Sequence, residues 1–307
     1  MGQNALGIDI GGTRMRAAVV APDGKVLSRA ECATPAKAAP DDIVATVATI
    51  VLQAMRGHSP GSILSAGVCA PGPLDVPRGV AIATPTIRGF VDYPLRARIA
   101  AAIGMPTGLD HDGHAAAYGE WKFGAGRGLA NMLFVTISTG IGGGAIVDGA
   151  LQCGRLGMAG HVGHMTVAPD GPLCACGNRG CWEALASGPA FAATARTAGF
   201  PDGAAVFDAA RKNDAKAINL IEKQSVWLAI GLVNLIHIYS PDTVVLGGGV
   251  INGLDLMRPI LQSQMSRRAM TPFRDVPFVQ AQLGDNAGVI GAATLGQRLY
   301  LSGQSPI

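Results

Sequence analysis

The sequence carries almost no net charge: 24 Lys and Arg stand against 21 Asp and Glu, a formal +3 with the histidines neutral. So small an excess gives no basic footprint for nucleic acid or an anionic membrane. Long apolar runs are missing too. The most apolar long stretch, Val226 to Tyr239, carries Asn234 and His237 and falls short of the roughly 18 continuous apolar residues of a membrane span. The opening MGQNALGIDIGG lacks the basic region, apolar core and small-residue cleavage site of a secretory signal, and Leu6 stands where a myristoylation pattern needs Ser or Thr. A cytoplasmic protein is expected. Six cysteines in 307 residues are too sparse for a disulfide scaffold. There is no G-x-x-x-x-G-K-[ST] phosphate loop, no Pro/Ser-rich linker and no short-period repeat.

What remains is a chain that must fold, because 49% of its residues are hydrophobic and only 15% charged. At the usual roughly 100–200 residues per domain, the length suggests two domains. Glycine, at 43 residues, is about twice as common as average and shows no Gly-X-Y period, which points to tight turns and close backbone approaches.

Strands are expected at Leu6 to Ile10, Arg16 to Val20, Ile63 to Cys69, Thr107 to Leu109, Met132 to Ile137, Ala145 to Val147 and Thr243 to Leu246. Helical periodicity marks Asp41 to Met55, Asp92 to Ile103, Ala115 to Trp121, a segment from about Ala190, and a long helix from about Ala215 to Tyr239. Strands alternating with helices make an α/β protein. The expected division is residues 1–110, completed by a C-terminal helix at 286–303, and residues 111–285.

Four clusters have the composition of chemistry. Ile8-Asp9-Ile10-Gly11-Gly12-Thr13 sets a carboxylate at a strand end before two glycines and a hydroxyl, either an ordinary hairpin turn or a nest of N–H groups for a nucleotide phosphate, with Asp9 toward Mg²⁺. Ser138 to Gly144 is a second such loop, and Gly247-Gly248-Gly249 after Val244-Val245-Leu246 is either a plain strand-to-helix turn or a flat seat for a base or ribose. Asp110-His111-Asp112-Gly113-His114 precedes a helix, where Asp112 is either a cap or an acid held ionised to accept a hydroxyl proton. His164, Cys174, Cys176 and Cys181 offer one imidazole and three thiolates, a closed tetrahedral set for a structural Zn²⁺, with four unliganded residues as the alternative. Cys32, Cys69 and Cys153 read as scattered core thiols.

Together DIGGT, STGIGGG, the HDGH segment, GMAGHVGHMTVAPDGPLCACGNRGCWEALAS and VVLGGGV resemble the ROK family (repressors, open reading frames and kinases) of sugar kinases, over nearly the whole chain. The resemblance implies the actin-like, ribonuclease-H-like ATPase fold, with two α/β domains and an interdomain cleft. It implies ATP, Mg²⁺ and structural Zn²⁺ as cofactors, a small-molecule sugar as substrate, and a homodimer. Asp9, Gly11, Gly12 and Thr13 would form the first phosphate loop, Thr139 and Gly140 the second, and Gly247 and Gly248 the adenosine contact. Asp112 would be the base, and Asp112, His164 and Glu183 would hold sugar hydroxyls.

Three departures bear on the sugar. Family glucokinases usually show Asn-Asp-x-Asn where this chain has His111 to His114, Gly-Glu-x-Gly-His where it has Gly160 to His164, and an Asn where Thr86 stands. His161 in the second slot resembles bacterial N-acetylmannosamine kinases, and a neutral His can donate a hydrogen bond to an acetamido carbonyl that an ionised Glu cannot. An alternative is that His161 merely caps a turn. The expected activity is phosphorylation of the 6-hydroxyl of a hexose or N-acetylhexosamine, N-acetylmannosamine favoured, with glucokinase or N-acetylglucosamine kinase as alternative. A non-catalytic sugar sensor would not require Asp112, and the family's repressors carry a helix-turn-helix before the DIGGT segment, where here eight residues precede Asp9.

Overall fold

The computed structural model describes residues 3–59 and 61–301. Its first strands follow from alternation. In β1 (Asn4–Ile10) Leu6, Ile8 and Ile10 all turn to one side and are fully buried. Strands β2 (Arg14–Val20) and β3 (Val26–Ala33) return antiparallel, and β4 (Ile63–Ala70) joins β1 in parallel after helix α1 (Pro40–Ala54). A small antiparallel sheet of β5 (Leu74–Asp75), β6 (Val80–Ala83) and β7 (Val91–Tyr93) precedes α2 (Leu95–Ile103). Then β8 (Thr107–His111) pairs with β4 and runs straight into α3 (Asp112–Phe123), giving the sheet order β3-β2-β1-β4-β8.

A second sheet repeats this arrangement. β9 (Met132–Ile137) and β10 (Ile141–Val147) form an antiparallel hairpin, and β11 (Ala150–Leu151) follows at the edge. After α4 (Trp182–Ala186), α5 (Gly188–Thr197), α6 (Gly203–Ala210) and α7 (Ala215–Tyr239), β12 (Thr243–Gly247) joins β9 in parallel; α8 (Leu254–Arg268) leads to β13 (Phe278–Gln280). The order β11-β10-β9-β12-β13 matches the first sheet strand for strand. Its core gathers Leu133, Val135 and Ile137 of β9 with residues of α7 and α8 around the fully buried Trp182. The Trp182 indole donates to the Trp227 carbonyl at 2.9 Å. The chain closes with α9 (Ala287–Leu301).

Two compact units result: residues 1–128, 151–160 and 282–307 form unit 1, and residues 129–150 and 161–281 form unit 2. The division expected at residue 110 is therefore displaced. α3 belongs to unit 1 because it packs on α9, and a Cβ on Gly291 would lie 1.7 Å from the Ala115 carbonyl oxygen, so only glycine permits the approach. α9 also covers β1 and β4, where a Cβ on Gly7 or Gly67 would meet the Val289 or Ala292 carbonyl oxygen at 1.9 and 1.7 Å. This explains two glycines in mid-strand that β propensity disfavours. Of the helix expected at 286–303, Ser302 and Gly303 lie outside the described residues.

Glu120, fully buried in α3, anchors the segment that enters α9: its carboxylate accepts from the backbone N–H groups of Ala125, Gln282 and Leu283 at 2.9, 3.1 and 2.7 Å. Among the described residues no helix is long and apolar enough to cross a membrane.

Several boundaries differ from the sequence reading. Asp92 adopts a left-handed φ of 46° within β7, so the helix expected from Asp92 begins only at Leu95. α3 starts at Asp112, ahead of Ala115, and β10 runs through its glycines from Ile141.

Candidate active site

Both glycine loops are hairpin turns, and in each unit the loop joins the first two strands. In unit 1 the Gly11 N–H donates to the Arg14 carbonyl at 3.0 Å, closing the turn between β1 and β2. In unit 2 the Ser138 N–H donates to the Gly140 carbonyl at 2.9 Å between β9 and β10. Both turns leave a hydroxyl residue, Thr13 or Thr139, exposed.

Asp9 sits one residue before the end of β1, directly across from Arg16 of β2, whose guanidinium donates to its carboxylate at 3.2 Å. The Cys69 thiol donates to the other oxygen at 3.6 Å. Burial, and behind it the neighbouring Asp112 carboxylate, push Asp9 above the usual carboxylate range, against the opposing pull of Arg16. Cys69 is buried as expected of a core thiol, but it belongs to this polar cluster, and burial pushes its thiol well up. Sequence reasoning missed Arg16, although hairpin register across Gly11 to Thr13 places it opposite Asp9.

Asp112 is the first residue of α3. The helix is capped by His111, whose ring accepts from the Gly113 N–H at 3.3 Å, so Asp112 is not the N-cap. Its Oδ1 accepts from the same N–H at 2.7 Å, and 47% of its side chain is open to solvent. Thr86 also lies in unit 1: a Cβ on Gly12 would come within 2.8 Å of the Thr86 Cβ, so Thr86 lines the first loop.

In unit 2 the Glu183 carboxylate and the turn carrying His164 meet at the backbone of Ile141. Glu183, in the first turn of α4, accepts from the Ile141 N–H at 2.8 Å, and a Cβ on Gly140 would collide with the same carboxylate at 2.5 Å. The turn that carries His164 packs onto the other side of that residue, where a Cβ on Gly163 would lie 2.2 Å from the Ile141 carbonyl oxygen. The rings of His161 and His164 stack with centroids 6.3 Å apart.

One ligand atom from each of His164, Cys174, Cys176 and Cys181 lies within 4.8 Å of the others. His164 Nδ1 is 3.7 Å from Cys174 Sγ, and Cys176 Sγ is 3.6 Å from Cys181 Sγ. Burial pushes the Cys181 thiol up to about 12, while the Asn178 backbone N–H lowers that of Cys176. Such a set of three sulfurs and one nitrogen has the donor chemistry of a closed zinc site. Gly247 and Gly248 follow β12, with Gly248 at φ 88° and so close to the Ile137 carbonyl oxygen that a Cβ there would be 2.3 Å away. Cys153 departs from expectation: it is exposed, not a core thiol.

Comparison with known proteins follows the same lines. The glucokinase of Streptomyces coelicolor is 34% identical over 313 residues, covering 94% of this chain and 96% of that protein. The N-acetylmannosamine kinase of Yersinia pestis is 34% identical over 291 residues, covering 94% and 96%. A crystal structure of a ROK family glucokinase from Streptomyces griseus in complex with glucose and AMPPNP superposes with a TM-score of 0.85 at 32% identity, covering 96% of this chain and 99% of that one. The fold of the two α/β units is that of the actin-like, ribonuclease-H-like ATPases. With the ROK family pattern matched over residues 5–298 and a third of all residues shared along nearly the whole length of these kinases, the chain belongs to the ROK family.

Proposed function

We propose that this protein is an ATP-dependent sugar kinase that transfers the γ-phosphoryl group of ATP to the 6-hydroxyl of a hexose or N-acetylhexosamine, N-acetylmannosamine favoured. The observation that carries it is the pairing in unit 1 of a carboxylate at a helix start, Asp112, with a second carboxylate, Asp9, beside a glycine hairpin, close enough that one charge shifts the other.

Asp112 takes the proton of the attacking hydroxyl as the bond from that oxygen to the γ-phosphorus forms and the bond to the β–γ bridging oxygen breaks, releasing ADP. The backbone N–H groups of Gly12 and Thr13 in unit 1, and of Thr139 and Gly140 in unit 2, donate to phosphate oxygens, while the Gly11 N–H holds the turn through the Arg14 carbonyl. Asp9 fits as the carboxylate toward Mg²⁺, since a nearby cation offsets the cost of its burial. Mg²⁺ supplies neutralisation of phosphate charge. Gly247 and Gly248 offer a flat backbone to the adenosine. In unit 2, His164, Cys174, Cys176 and Cys181 hold a structural Zn²⁺ that rigidifies the loop, and His161, His164 and Glu183 present their polar atoms to the sugar. Glu183 has a second duty, fixing the turn of the second phosphate loop through Ile141.

The preference for N-acetylmannosamine rests on His161, which can donate to an acetamido carbonyl, and on Thr86, shorter than Asn and so roomier for an axial substituent at C2. Glucokinase activity is the second reading, favoured by the equal identity to the Streptomyces coelicolor enzyme. A coupled ADP-release assay across glucose, N-acetylglucosamine, N-acetylmannosamine, allose and fructose tests both. Sugar-dependent ADP release is expected, highest kcat/KM with N-acetylmannosamine; His161→Glu should move the ratio toward glucose by about tenfold or more. Release with none of these sugars would refute the kinase. A wild-type preference for glucose that His161→Glu leaves unchanged would replace the first reading by the second.

A further inference from the structure

One cluster in unit 1 has no part in the phosphoryl transfer proposed above. One oxygen of Asp110, one nitrogen of His114 and the Cys153 sulfur all lie within 4.8 Å of one another. Asp110 comes from the end of β8 and His114 from the first turn of α3. Cys153 comes from the stretch Leu151–Gly160, the only part of the chain between Gly128 and Gln282 that belongs to this unit.

Hydrogen bonding accounts for part of the arrangement and leaves the rest unspent. Asp110 Oδ1 takes the His111 backbone N–H at 2.7 Å and faces His114 Nδ1 at 2.9 Å. Its second oxygen has no hydrogen-bond partner in the protein among the described residues. His114 is fully buried, and its Nε2 is sealed from solvent with no hydrogen-bond partner among the described residues. A buried ring nitrogen in that state is rare, because folding strips its water and returns nothing. An ordinary Asp–His pair at a helix start would explain the 2.9 Å contact; it does not explain why the Cys153 thiol lies within 4.8 Å of the same pair.

We propose that Asp110, His114 and Cys153 form a transition-metal site of one oxygen, one nitrogen and one sulfur donor, with a coordination position left open. The mixed donor set selects the ion. Mg²⁺ and Ca²⁺ take oxygen ligands, whereas a thiolate with an imidazole suits Zn²⁺ or Co²⁺. The imidazole would offer the ion Nδ1, the metal replacing the proton that Nδ1 shares with Asp110. On binding, the Cys153 sulfur loses its proton to solvent as the metal–sulfur bond forms. The site is separate from the Cys/His loop, which lies in unit 2 and has all four positions filled by protein. His114 is one of the positions where the chain departs from the family's usual Asn, so this donor is peculiar to chains with this variation.

The test is Co²⁺ titration of the full chain, stripped of metal with a chelator under reducing conditions and followed by the thiolate-to-cobalt absorption band and by metal analysis after desalting. Wild type should hold one more equivalent than Cys153→Ser, a surface substitution that leaves the core intact. In a Cys176→Ser background, which disables the Cys/His loop, a band of single-thiolate intensity should remain and disappear when Cys153→Ser is added. His114→Asn should lose the same equivalent, and circular dichroism of that variant separates metal loss from misfolding. Equal metal content in wild type and Cys153→Ser, or an absorption band in the Cys176→Ser background that Cys153→Ser does not alter, overturns the proposal.

Discussion

Replacing Asp112 by Asn isolates proton acceptance from everything else the residue does. Asn keeps the Oδ1 that accepts from the Gly113 N–H at 2.7 Å, and His111 remains the cap, so α3 still begins where it does. What is lost is one negative charge at a helix start, worth about 0.3–1 kcal/mol at a site that is about half open to solvent. Against this, the substitution removes a like charge that raises the Asp9 pKa. The two effects oppose each other, and the melting temperature should move by no more than about 4 °C. The chemical step should suffer far more: removal of a positioned general base costs on the order of 10²–10⁴ in kcat, which at 1.36 kcal/mol per tenfold is about 3–5 kcal/mol of barrier. Sugar affinity, measured by calorimetry without nucleotide, should change little. ADP release at saturating sugar then reads the loss in kcat directly. A kcat within threefold of wild type refutes the role of Asp112. A collapse in melting temperature refutes the account of the helix start.

Cys176→Ser should lower bound zinc by one equivalent in metal analysis and weaken sugar binding more than ATP binding, because the turn carrying His164 packs on the Ile141 backbone that Glu183 also grips. Asp9→Asn should abolish phosphoryl transfer yet raise the melting temperature at neutral pH. Because the Asp9 pKa is raised in the folded state, its ionisation costs stability once the pH climbs through the range between the unfolded and folded values; the advantage of Asn should vanish below about pH 4, where both forms are neutral, and melting curves from pH 4 to 8 check this. Glu120→Ala should cost about 3–5 kcal/mol in guanidinium unfolding, since it strands three backbone N–H groups in a buried site; a loss under 1 kcal/mol would mean water replaces the carboxylate.

Strands and helices with strong periodicity were legible in the sequence, α7 to the residue, because a 25-residue amphipathic run leaves no competing period. α8 was not, since Pro259 sits inside it and its apolar positions are diluted by polar ones. The start of α3 was hidden for a different reason: a His cap is not among the usual N-cap residues, so the helix seemed to begin three residues late. The glycine hairpins and the Cys/His quartet could be named from spacing alone. Nothing local to the sequence could bring Cys153 to Asp110 and His114, or Glu183 to Ile141, because those neighbours are set by long-range packing. Gly7 and Gly67 were likewise silent until the α9 backbone was seen lying against them.

That last contact sets an order of events during synthesis. β1 and β4 are complete by Ala70, but the helix that covers them starts at Ala287. At roughly 5–20 residues per second, the sheet of unit 1 waits on the order of ten to forty seconds with one face uncovered. Unit 2, drawn from a nearly unbroken stretch, can condense in the meantime. Until α9 emerges the nascent chain therefore carries a bare glycine-lined strip along β1 and β4, and this is the surface a ribosome-associated chaperone would meet.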